Sequence, residues 1–331
     1  MKTAALLPTP GDPFLVRHFL RNCETLWRDE VDELRVFVGG QDDPAARDYI
    51  REQVERLGGI YMERQTGGLV PHGIALNILI TDTDADAVVL LEDDVRVRYA
   101  GEIRKHFDYL HSGEYDVVSS PRVSMTPNLE AASRARWDRG HLLRDLGDGC
   151  GMWPAFVFAF RQHLLETDRD YGERSWGPGM KVPGLGGYTI PEGEMGVADC
   201  FGGAAFQLRD KRRVLDVPQW KGPWLWPAWL YDNIQMSWFH IGSLSSSNNL
   251  GGFELPVFSD GRTMTDDQEI GEWAHRLHWW KRCLDLYGHE LPDHAARYAS
   301  NWERLRERVG VPEFRIAEWG EVIDQMITWP E

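Results

Sequence analysis

The sequence contains no long apolar run, and this absence excludes the simplest kind of membrane protein. No segment approaches the roughly 20 apolar residues that a membrane-spanning helix requires. The opening stretch MKTAALLPTPGDP has too short an apolar run, and a proline too early, for a secretory signal. Cysteine is scarce as well, because its four residues are far apart and form no C-x-x-C pair. These absences predict a cytoplasmic protein with reduced thiols and no membrane span.

Basic residues and two phosphate-binding motifs are also lacking. Lys and Arg number 36 against 52 Asp and Glu, and the resulting net charge of −16 argues against a broad nucleic-acid surface. No G-x-G-x-x-G lies at the first predicted turn from strand to helix, and no G-x-x-x-x-G-K-[ST] occurs. A dinucleotide-binding fingerprint and a P-loop are therefore excluded. Any bound phosphate group needs another device, such as a metal ion.

The segment 87–97, AVVLLEDDVRV, is the most informative part of the sequence. Its first five residues have the length and branching of a buried parallel strand. Glu92, Asp93 and Asp94 follow directly, and three neighbouring carboxylates repel one another unless water or a cation relieves them. Ligands bind at the carboxyl ends of strands in open α/β sheets. The segment thus predicts a divalent cation with a phosphorylated ligand; the alternative is a solvated acidic turn.

The first 120 residues alternate between strand and helix patterns. The predicted elements are strands at 3–7, 34–38 and 87–91, and helices at 44–57 and 73–81. Asp12 is a candidate N-cap for the first helix, with Pro13 at its first position. This alternation predicts an α/β fold in which a Rossmann-like, mostly parallel sheet carries helices on both faces.

The pattern is less regular beyond residue 120. The stretch 121–150 gives no assignable element, and the expectations that follow it are a strand at 153–160, a long loop at 168–193 and a helix at 198–209. From Thr265 onwards, apolar residues recur at helical spacing. We therefore divide the chain into a domain at 1–250 and a helical C-terminal extension at 251–331.

Fifteen tryptophans are unusually many for this length. Trp273, Trp280 and Trp302 recur at helical spacing and are predicted to pack in a core. A second group shares a stretch rich in Pro and Gly, and its flat rings suit the C–H faces of a sugar. This second group makes a candidate acceptor platform, with core packing as the alternative, from Trp224, Trp226 and Trp229.

Six segments in order carry a family resemblance. They are ALLPTPGDPFLVRHFLRNC, VFVGGQDDP, HGIALNILI, LLEDDV, GVADCFGGAAFQLRDKRRVLDVP and FHIGSLSS. Together they resemble the glycosyltransferases of the GT-A fold, closest to the large family-2 type, with LLEDDV in the place of the D-x-D motif. The resemblance covers about residues 3–249. One departure concerns the catalytic Glu-Asp pair of that family, which is Ala198-Asp199 in this chain.

The resemblance implies a role for each matching residue. Asp94 and His240 would hold Mn²⁺ or Mg²⁺, and Asp199 would be the catalytic base, with Glu194 in reserve. The residues implied in binding the nucleotide sugar are Pro8, Thr9, Asp42, Asp43, Asn77, Glu92, Asp93, Ser243 and Ser245. From the residues alone, the alternatives are that Asp199 is a helix N-cap and that His240 is a hydrogen-bonded core histidine.

The implied activity is a hexosyltransferase-type, metal-dependent glycosyltransferase. Its donor would be a UDP- or GDP-linked sugar and its acceptor an unidentified hydroxyl. The expected stereochemical outcome is inversion. A nucleotidyltransferase acting on sugar phosphates is the first alternative, although TPGDPF is poor in the glycine and basic residues of such enzymes. The others are a carbohydrate-binding module without catalysis, and a transferase that glycosylates DNA bases or phage or cell-surface proteins.

Overall fold

The structure is a computed structural model that describes most of the chain. The described residues are 1–64, 68–121, 135–138, 141–146, 151–169, 171–198, 200–217, 238–240 and 267–326. Within these ranges, no helix is both long and apolar enough to cross a membrane.

Strands and helices alternate from the N-terminus, as the sequence predicts. The first half contains β1 (Thr3–Thr9), α1 (Pro13–Asn22), β2 (Glu33–Val38), α2 (Pro44–Arg56), β3 (Ile60–Glu63), α3 (His72–Asp82), β4 (Ala87–Leu91), β5 (Val95–Val97), α4 (Glu102–His111) and β6 (Val117–Pro121). The second half contains β7 (Ala135–Asp138), β8 (His141–Asp145), β9 (Met152–Phe160), α5 (Arg161–Leu165), β10 (Arg174–Trp176), β11 (Glu194–Ala198), α6 (Gly202–Lys211), β12 (Val214–Asp216), β13 (Trp238–His240), α7 (Asp267–Tyr287), α8 (Pro292–Val309) and α9 (Glu313–Met326).

The larger sheet has seven strands in the described part of the chain, in the order β12-β6-β9-β4-β1-β2-β3. Strand β1 runs parallel to both of its neighbours, β2 and β4, and β2 runs parallel to β3. Strand β9 lies antiparallel between β4 and β6, while β6 and β12 are parallel. The sheet is thus mixed and mostly parallel, so the predicted fold class is confirmed.

Alternate residues of the central strands face two different cores, because side chains alternate across a strand. In β4, Val89 and Leu91 pack with residues of α1, α2 and α4, whereas Val88 and Leu90 pack with residues of α3, α5 and α6. All five residues of β4 are buried. Helices therefore cover both faces of the sheet, as predicted, and only the strand ends remain for a ligand.

A second, smaller sheet contains the elements that the sequence pattern does not reveal. In the described residues its order is β10-β11-β8-β7, with β8 and β11 parallel and the outer pairs antiparallel. Strands β7 and β8 lie inside the stretch 121–150 that gave no assignable element, and β10 lies inside the predicted loop. The helix predicted at 198–209 is also wrong at its start. Strand β11 continues through Ala198, and α6 begins only at Gly202.

The described part of the C-terminal extension, residues 267–326, is helical, as predicted, and it packs against α1. Trp273, Trp280 and Trp302 are buried there, which confirms their predicted packing role. Phe14 of α1 meets the ring of Tyr298 edge-to-face, with 5.0 Å between ring centroids. The predicted boundary at residue 250 lies outside the described residues, and the division into two domains stays a prediction.

Asp12 caps α1, as the sequence predicts. Its Oδ1 accepts hydrogen bonds from the backbone N–H groups of Phe14 and Leu15, each at 3.0 Å. The side chain is fully buried. Burial raises the pKa of Asp12 to about 7, against the opposing effect of the two backbone donors.

Replacing Asp12 by Asn is expected to change how stability depends on pH. A raised pKa means that the folded protein binds a proton that the unfolded chain has released, so the free energy of unfolding falls as pH rises from about 4 to about 7. The full shift corresponds to roughly 4 kcal/mol. Asn caps a helix about as well as Asp and carries no charge. We expect D12N to melt higher than the parent at pH 8, with the difference shrinking towards pH 5.

Thermal melting of both proteins across this pH range measures the effect. The quantity to compare is the difference in melting temperature between D12N and the parent at each pH. Burial lowers the pKa of His18 and His275, and in both proteins this makes stability rise with pH, which is opposite to the effect of Asp12. A constant difference between D12N and the parent at every pH contradicts a titrating Asp12.

Candidate active site

The ends of β1 and β4 meet at the same edge of the sheet, because the two strands are parallel neighbours. Thr9 ends β1, and its Oγ1 donates a 2.5 Å hydrogen bond to Oδ2 of Asp93, which follows β4. The same Oγ1 accepts the N–H of Gly11 at 2.9 Å. Thr9 and Asp93, predicted separately as site residues, therefore belong to one buried hydrogen-bonded unit. Pro8 precedes them and is buried in β1.

Asp94 lies in the turn directly before the short strand β5 and is only 2% exposed. Strand β5 pairs with β13 in an antiparallel arrangement that places the backbone of His240 opposite Val95. His240, which is 146 positions from Asp94 in sequence, is thereby paired with the residue that follows Asp94. The pairing is between the backbones of the two strands.

Arg96 is a buried cation beside the acidic turn that sequence reasoning missed. Its Nη1 donates to the carbonyl oxygens of Asp93, at 2.8 Å, and Val95, at 2.6 Å. Its guanidinium lies over the indole ring of Trp279 in α7, 4.9 Å from the ring centroid. Burial lowers the pKa of Arg96 to about 10, and nearby groups that include Asp93 and Asp94 oppose that shift. Arg96 remains charged at neutral pH and offsets part of the acidic charge.

His72, the first residue of α3, faces Glu92 from across the strand end. Its Nε2 lies 3.5 Å from Oε1 of Glu92, and each side chain is about one quarter exposed. Neither ring nitrogen of His72 has a hydrogen-bond partner in the described part of the chain. His72 is thus a second residue that sequence reasoning missed; the signal was its place at the head of the HGIALNILI segment.

Glycine is required next to His72. A Cβ at Gly73 would lie 2.2 Å from the backbone nitrogen of Gly172 and 2.4 Å from the carbonyl carbon of Tyr171. The start of α3 is therefore pressed directly onto the backbone at 171–172. Asn77 lies one turn further along α3, where its buried Oδ1 has no hydrogen-bond partner among the described residues.

Three predicted site residues lie outside this cluster. Asp42 is exposed in the connection between β2 and α2. Asp43 caps α2 by accepting the N–H of Ala45 at 3.0 Å, and its other oxygen accepts a 3.0 Å hydrogen bond from Arg297 of α8. Glu194 lies in the smaller sheet, where it accepts a 2.6 Å hydrogen bond from Nε of Arg144. The last two carboxylates thus serve contacts within the fold.

Several predicted residues lie outside the described residues, so their roles stay predictions. They are Asp199, Trp224, Trp226, Trp229, Ser243 and Ser245. The residues that flank Asp199 form a tight turn between β11 and α6. Phe201 has a left-handed φ of 68° and is fully buried, and it is the N-cap residue of α6. The interpretation of Asp199 as the N-cap of this helix is therefore wrong.

Phe201 holds its strained backbone through two contacts with Tyr171. The N–H of Phe201 donates to the carbonyl oxygen of Tyr171 at 2.8 Å, and the two rings stack with 5.8 Å between centroids. Gly202 allows the turn, because a Cβ there would lie 2.6 Å from that of Ala198. Strain of this kind clusters at functional sites and costs on the order of 1–3 kcal/mol.

The protein side chains at this site suit a hard divalent cation only if a bound molecule supplies further oxygen atoms to the metal. Within the described part of the chain, no group of three or more His, Cys, Asp or Glu side chains is arranged to hold a metal ion. Mg²⁺ and Mn²⁺ favour oxygen ligands, and Mg²⁺ in enzymes is often held by one or two carboxylates together with substrate phosphates. The carboxylates at this turn fit that arrangement.

Comparison with known proteins gives structural likenesses only. No family model and no curated protein sequence matches the chain. The structure is similar to that of glucosyl-3-phosphoglycerate synthase from Mycobacterium tuberculosis, with 20% identity over 50% of this chain and 59% of that chain and a TM-score of 0.37. A crystal structure of that synthase with Mn²⁺ and UDP-glucose gives 20% identity over 49% and 57%, with a TM-score of 0.36. A further mycobacterial protein gives 16% over 60% and 65%, with a TM-score of 0.35. This chain covers less than two thirds of the length of each.

Proposed function

We propose that the chain is a metal-dependent glycosyltransferase that moves a sugar from a nucleotide-diphosphate sugar to a hydroxyl acceptor. The observation that carries the proposal is the meeting of Thr9, Asp93 and Asp94 where two parallel strands end, with β13 paired alongside. This edge of an α/β sheet is where ligands bind. The ordered resemblance to GT-A glycosyltransferases supports the same assignment.

The site divides into a fixed part and a ligand-facing part. Thr9 holds Asp93, and Arg96 holds the carbonyl oxygens of Asp93 and Val95, so the turn that carries Asp94 is braced from two sides. Asp94 and His240 would hold Mn²⁺ or Mg²⁺. A bound ion of this kind would neutralise charge on the diphosphate as the nucleoside diphosphate leaves.

His72 supports binding of the diphosphate. Among the described residues, neither ring nitrogen of His72 has a hydrogen-bond partner, so a ring N–H is available to donate to a phosphate oxygen. Ser243 and Ser245 are proposed to contact the same group. Of Asp42 and Asp43, Asp42 is the better candidate for binding the nucleoside, because Asp43 already accepts a hydrogen bond from Arg297 of α8.

The transfer itself needs a group that removes a proton from the acceptor hydroxyl. Asp199 is proposed for that role, because Glu194 is held in an ion pair with Arg144. As the acceptor oxygen bonds to the anomeric carbon, the bond from that carbon to the diphosphate breaks, and the acceptor proton passes to the Asp199 carboxylate. We propose inversion of configuration on this basis.

A thermal-shift screen tests the donor assignment. The protein is heated with UDP- and GDP-linked sugars, each with Mn²⁺ or with EDTA, and UDP-glucose is the first probe. A ligand that binds only the folded state stabilises it by about 2.7 kcal/mol at 100 times its dissociation constant. We expect a higher melting temperature with at least one nucleotide sugar in Mn²⁺, and little or no rise in EDTA.

Two results contradict the proposal. One is the absence of a shift with every nucleotide sugar in Mn²⁺. The other is release of pyrophosphate from a nucleoside triphosphate and a sugar phosphate, which identifies a nucleotidyltransferase. Release of a nucleoside diphosphate from the stabilising sugar supports the proposed reaction.

A further inference from the structure

Gln41 connects the loops that follow two neighbouring strands at the edge of the sheet where the candidate site lies. It comes after β2, and its Nε2 donates a 2.7 Å hydrogen bond to the carbonyl oxygen of Gly11, in the connection between β1 and α1. Its Oε1 accepts the N–H of Asp43, in the connection between β2 and α2, at 3.0 Å. Both ends of one side-chain amide are thus used between the two loops, so movement of one loop against the other breaks a hydrogen bond.

The two loops are also in direct contact at Gly11. This glycine has a φ of +99°, and a Cβ there would lie 2.6 Å from Cγ1 of Val38 and 2.8 Å from Cβ of Gln41. The N–H of Gly39 donates to the carbonyl oxygen of Thr9 at 2.9 Å, which adds a backbone link between the ends of β2 and β1. Close packing and hydrogen bonds therefore fix the same pair of loops.

The hydrogen bonds continue from Gly11 to the acidic turn. The N–H of Gly11 donates to Oγ1 of Thr9 at 2.9 Å, and that hydroxyl donates to Oδ2 of Asp93. Asp93 directly precedes Asp94. We call this hydrogen-bonded set, which runs from Gln41 through Gly11 and Thr9 to Asp93, the strand-end series. It crosses the ends of β2, β1 and β4.

The C-terminal helices hold both ends of the strand-end series. At one end, Asp43 accepts a 3.0 Å hydrogen bond from Arg297 of α8. At the other end, Arg96 donates to the carbonyl oxygen of Asp93 at 2.8 Å, and its guanidinium lies over the ring of Trp279 in α7. The series is therefore anchored outside the sheet at each end.

A nucleotide-diphosphate sugar would be held at two places under the proposed function. Its nucleoside would lie at the loops after β1 and β2, which carry Asp42, and its diphosphate at a metal ion on Asp94. When both places are occupied by one molecule, its affinity depends on the distance between them. A distance that is fixed in advance avoids the free-energy cost of ordering the two places on binding. The strand-end series joins these two places.

We propose that Gln41 is a positioning residue that fixes the distance between the nucleoside subsite and the metal-bound diphosphate subsite. The proposal rests on the proposed glycosyltransferase function and adds a residue to its donor site. Gln41 acts through Gly11 and Thr9, whereas metal binding and proton transfer belong to other residues.

The variant Q41M tests the proposal, because methionine keeps the length of the side chain and loses both hydrogen bonds. Its matched control is Q162M, which changes an exposed glutamine on α5. The measured quantity is the gain in UDP affinity that Mn²⁺ produces over EDTA, with GDP as the second probe. In Mn²⁺ both ends of the nucleotide are held, whereas in EDTA only the nucleoside is. We expect Q41M to reduce the gain about tenfold, the cost of ordering about one residue, and Q162M to match the parent.

A reciprocal measurement and a second variant strengthen the test. Titration of Mn²⁺ with and without UDP should show the same reduction, because the coupling between two ligands is reciprocal. If Q41M does not fold, Q41N takes its place. Its side chain is shorter by about 1.5 Å, so its amide cannot bridge the two loops in the same way.

Three results would contradict these inferences, each in a different way. An unchanged Mn²⁺ gain in the variant overturns the positioning role, even if the melting temperature falls, because Gln41 would then only stabilise the fold. An equal loss of UDP affinity in Mn²⁺ and in EDTA also overturns that role, since it indicates a direct contact with the nucleoside. A parent protein that binds neither UDP nor GDP in Mn²⁺ overturns the proposed function itself.

Discussion

Replacing Asp94 by Asn is expected to lower sugar transfer by at least about 100-fold, since even residues behind metal ligands cost 10–100-fold when changed. The amide retains the shape of the carboxylate but loses the negative charge that attracts a divalent cation. Because Asp94 is only 2% exposed, removing its charge also removes a desolvation cost. We therefore expect the D94N protein to fold and to melt no lower than the parent.

The measurement pairs transfer rate with the thermal shift produced by Mn²⁺ and a nucleotide sugar. D94N should lose both, whereas D108N, which changes an exposed carboxylate on α4, should lose neither. Asp93 is a less suitable target, because its hydrogen bond to Thr9 joins the two strand ends. Transfer by D94N at the rate of the parent would show that the cation, if any, binds elsewhere.

Replacing Arg96 by Met is expected to destabilise the protein by about 3 kcal/mol, the lower end of the cost of removing one partner from a buried charged group. The substitution removes the donors to the carbonyl oxygens of Asp93 and Val95 and the contact with Trp279. It also removes a positive charge that interacts with the buried Asp93 and Asp94. For a chain of 331 residues the melting temperature should fall by about 4 °C.

R96M should therefore lower stability, whereas D94N should lower metal binding and sugar transfer. Urea unfolding of R96M should show lower stability, while its Mn²⁺ affinity should not fall, because removal of a nearby positive charge favours cation binding. R96K keeps the charge but not the planar fork, and it should fall between R96M and the parent. The exposed control R104M should remain within about 0.5 kcal/mol of the parent. Equal stability of R96M and the parent would contradict this account.

The sequence predicts best what local periodicity controls. The five-residue run of β4, the acidic turn after it and the Asp12 cap all follow from residues adjacent in the chain. The alternation of strands and helices then limits the sheet to a mostly parallel one. The three carboxylates were correctly placed at the edge of this sheet, because a strand end in an α/β fold faces that edge.

The sequence predicts poorly what depends on distant pairing. Strands β7 and β8 are short and polar, and they become strands only through partners in the smaller sheet. The start of α6 was misplaced because Phe201 adopts a left-handed conformation that depends on contacts distant in sequence, such as those with Tyr171. Arg96 was missed for a similar reason. An arginine in a short exposed-looking segment is ordinarily at the surface, and only the packing of α7 buries it.

Helix α1 contributes side chains to two hydrophobic cores. Val16, Phe19 and Leu20 belong to the core beneath the sheet, and Phe14 and Leu15 belong to the aromatic core of the C-terminal helices. A helix that is apolar on two sides keeps only a narrow polar face, which in α1 carries the partly exposed Arg17 and Arg21. Truncation before residue 267 would expose Phe14 and Leu15 to water and remove the Trp279 indole from Arg96. The C-terminal helices are therefore part of the hydrophobic core and not a separable appendage.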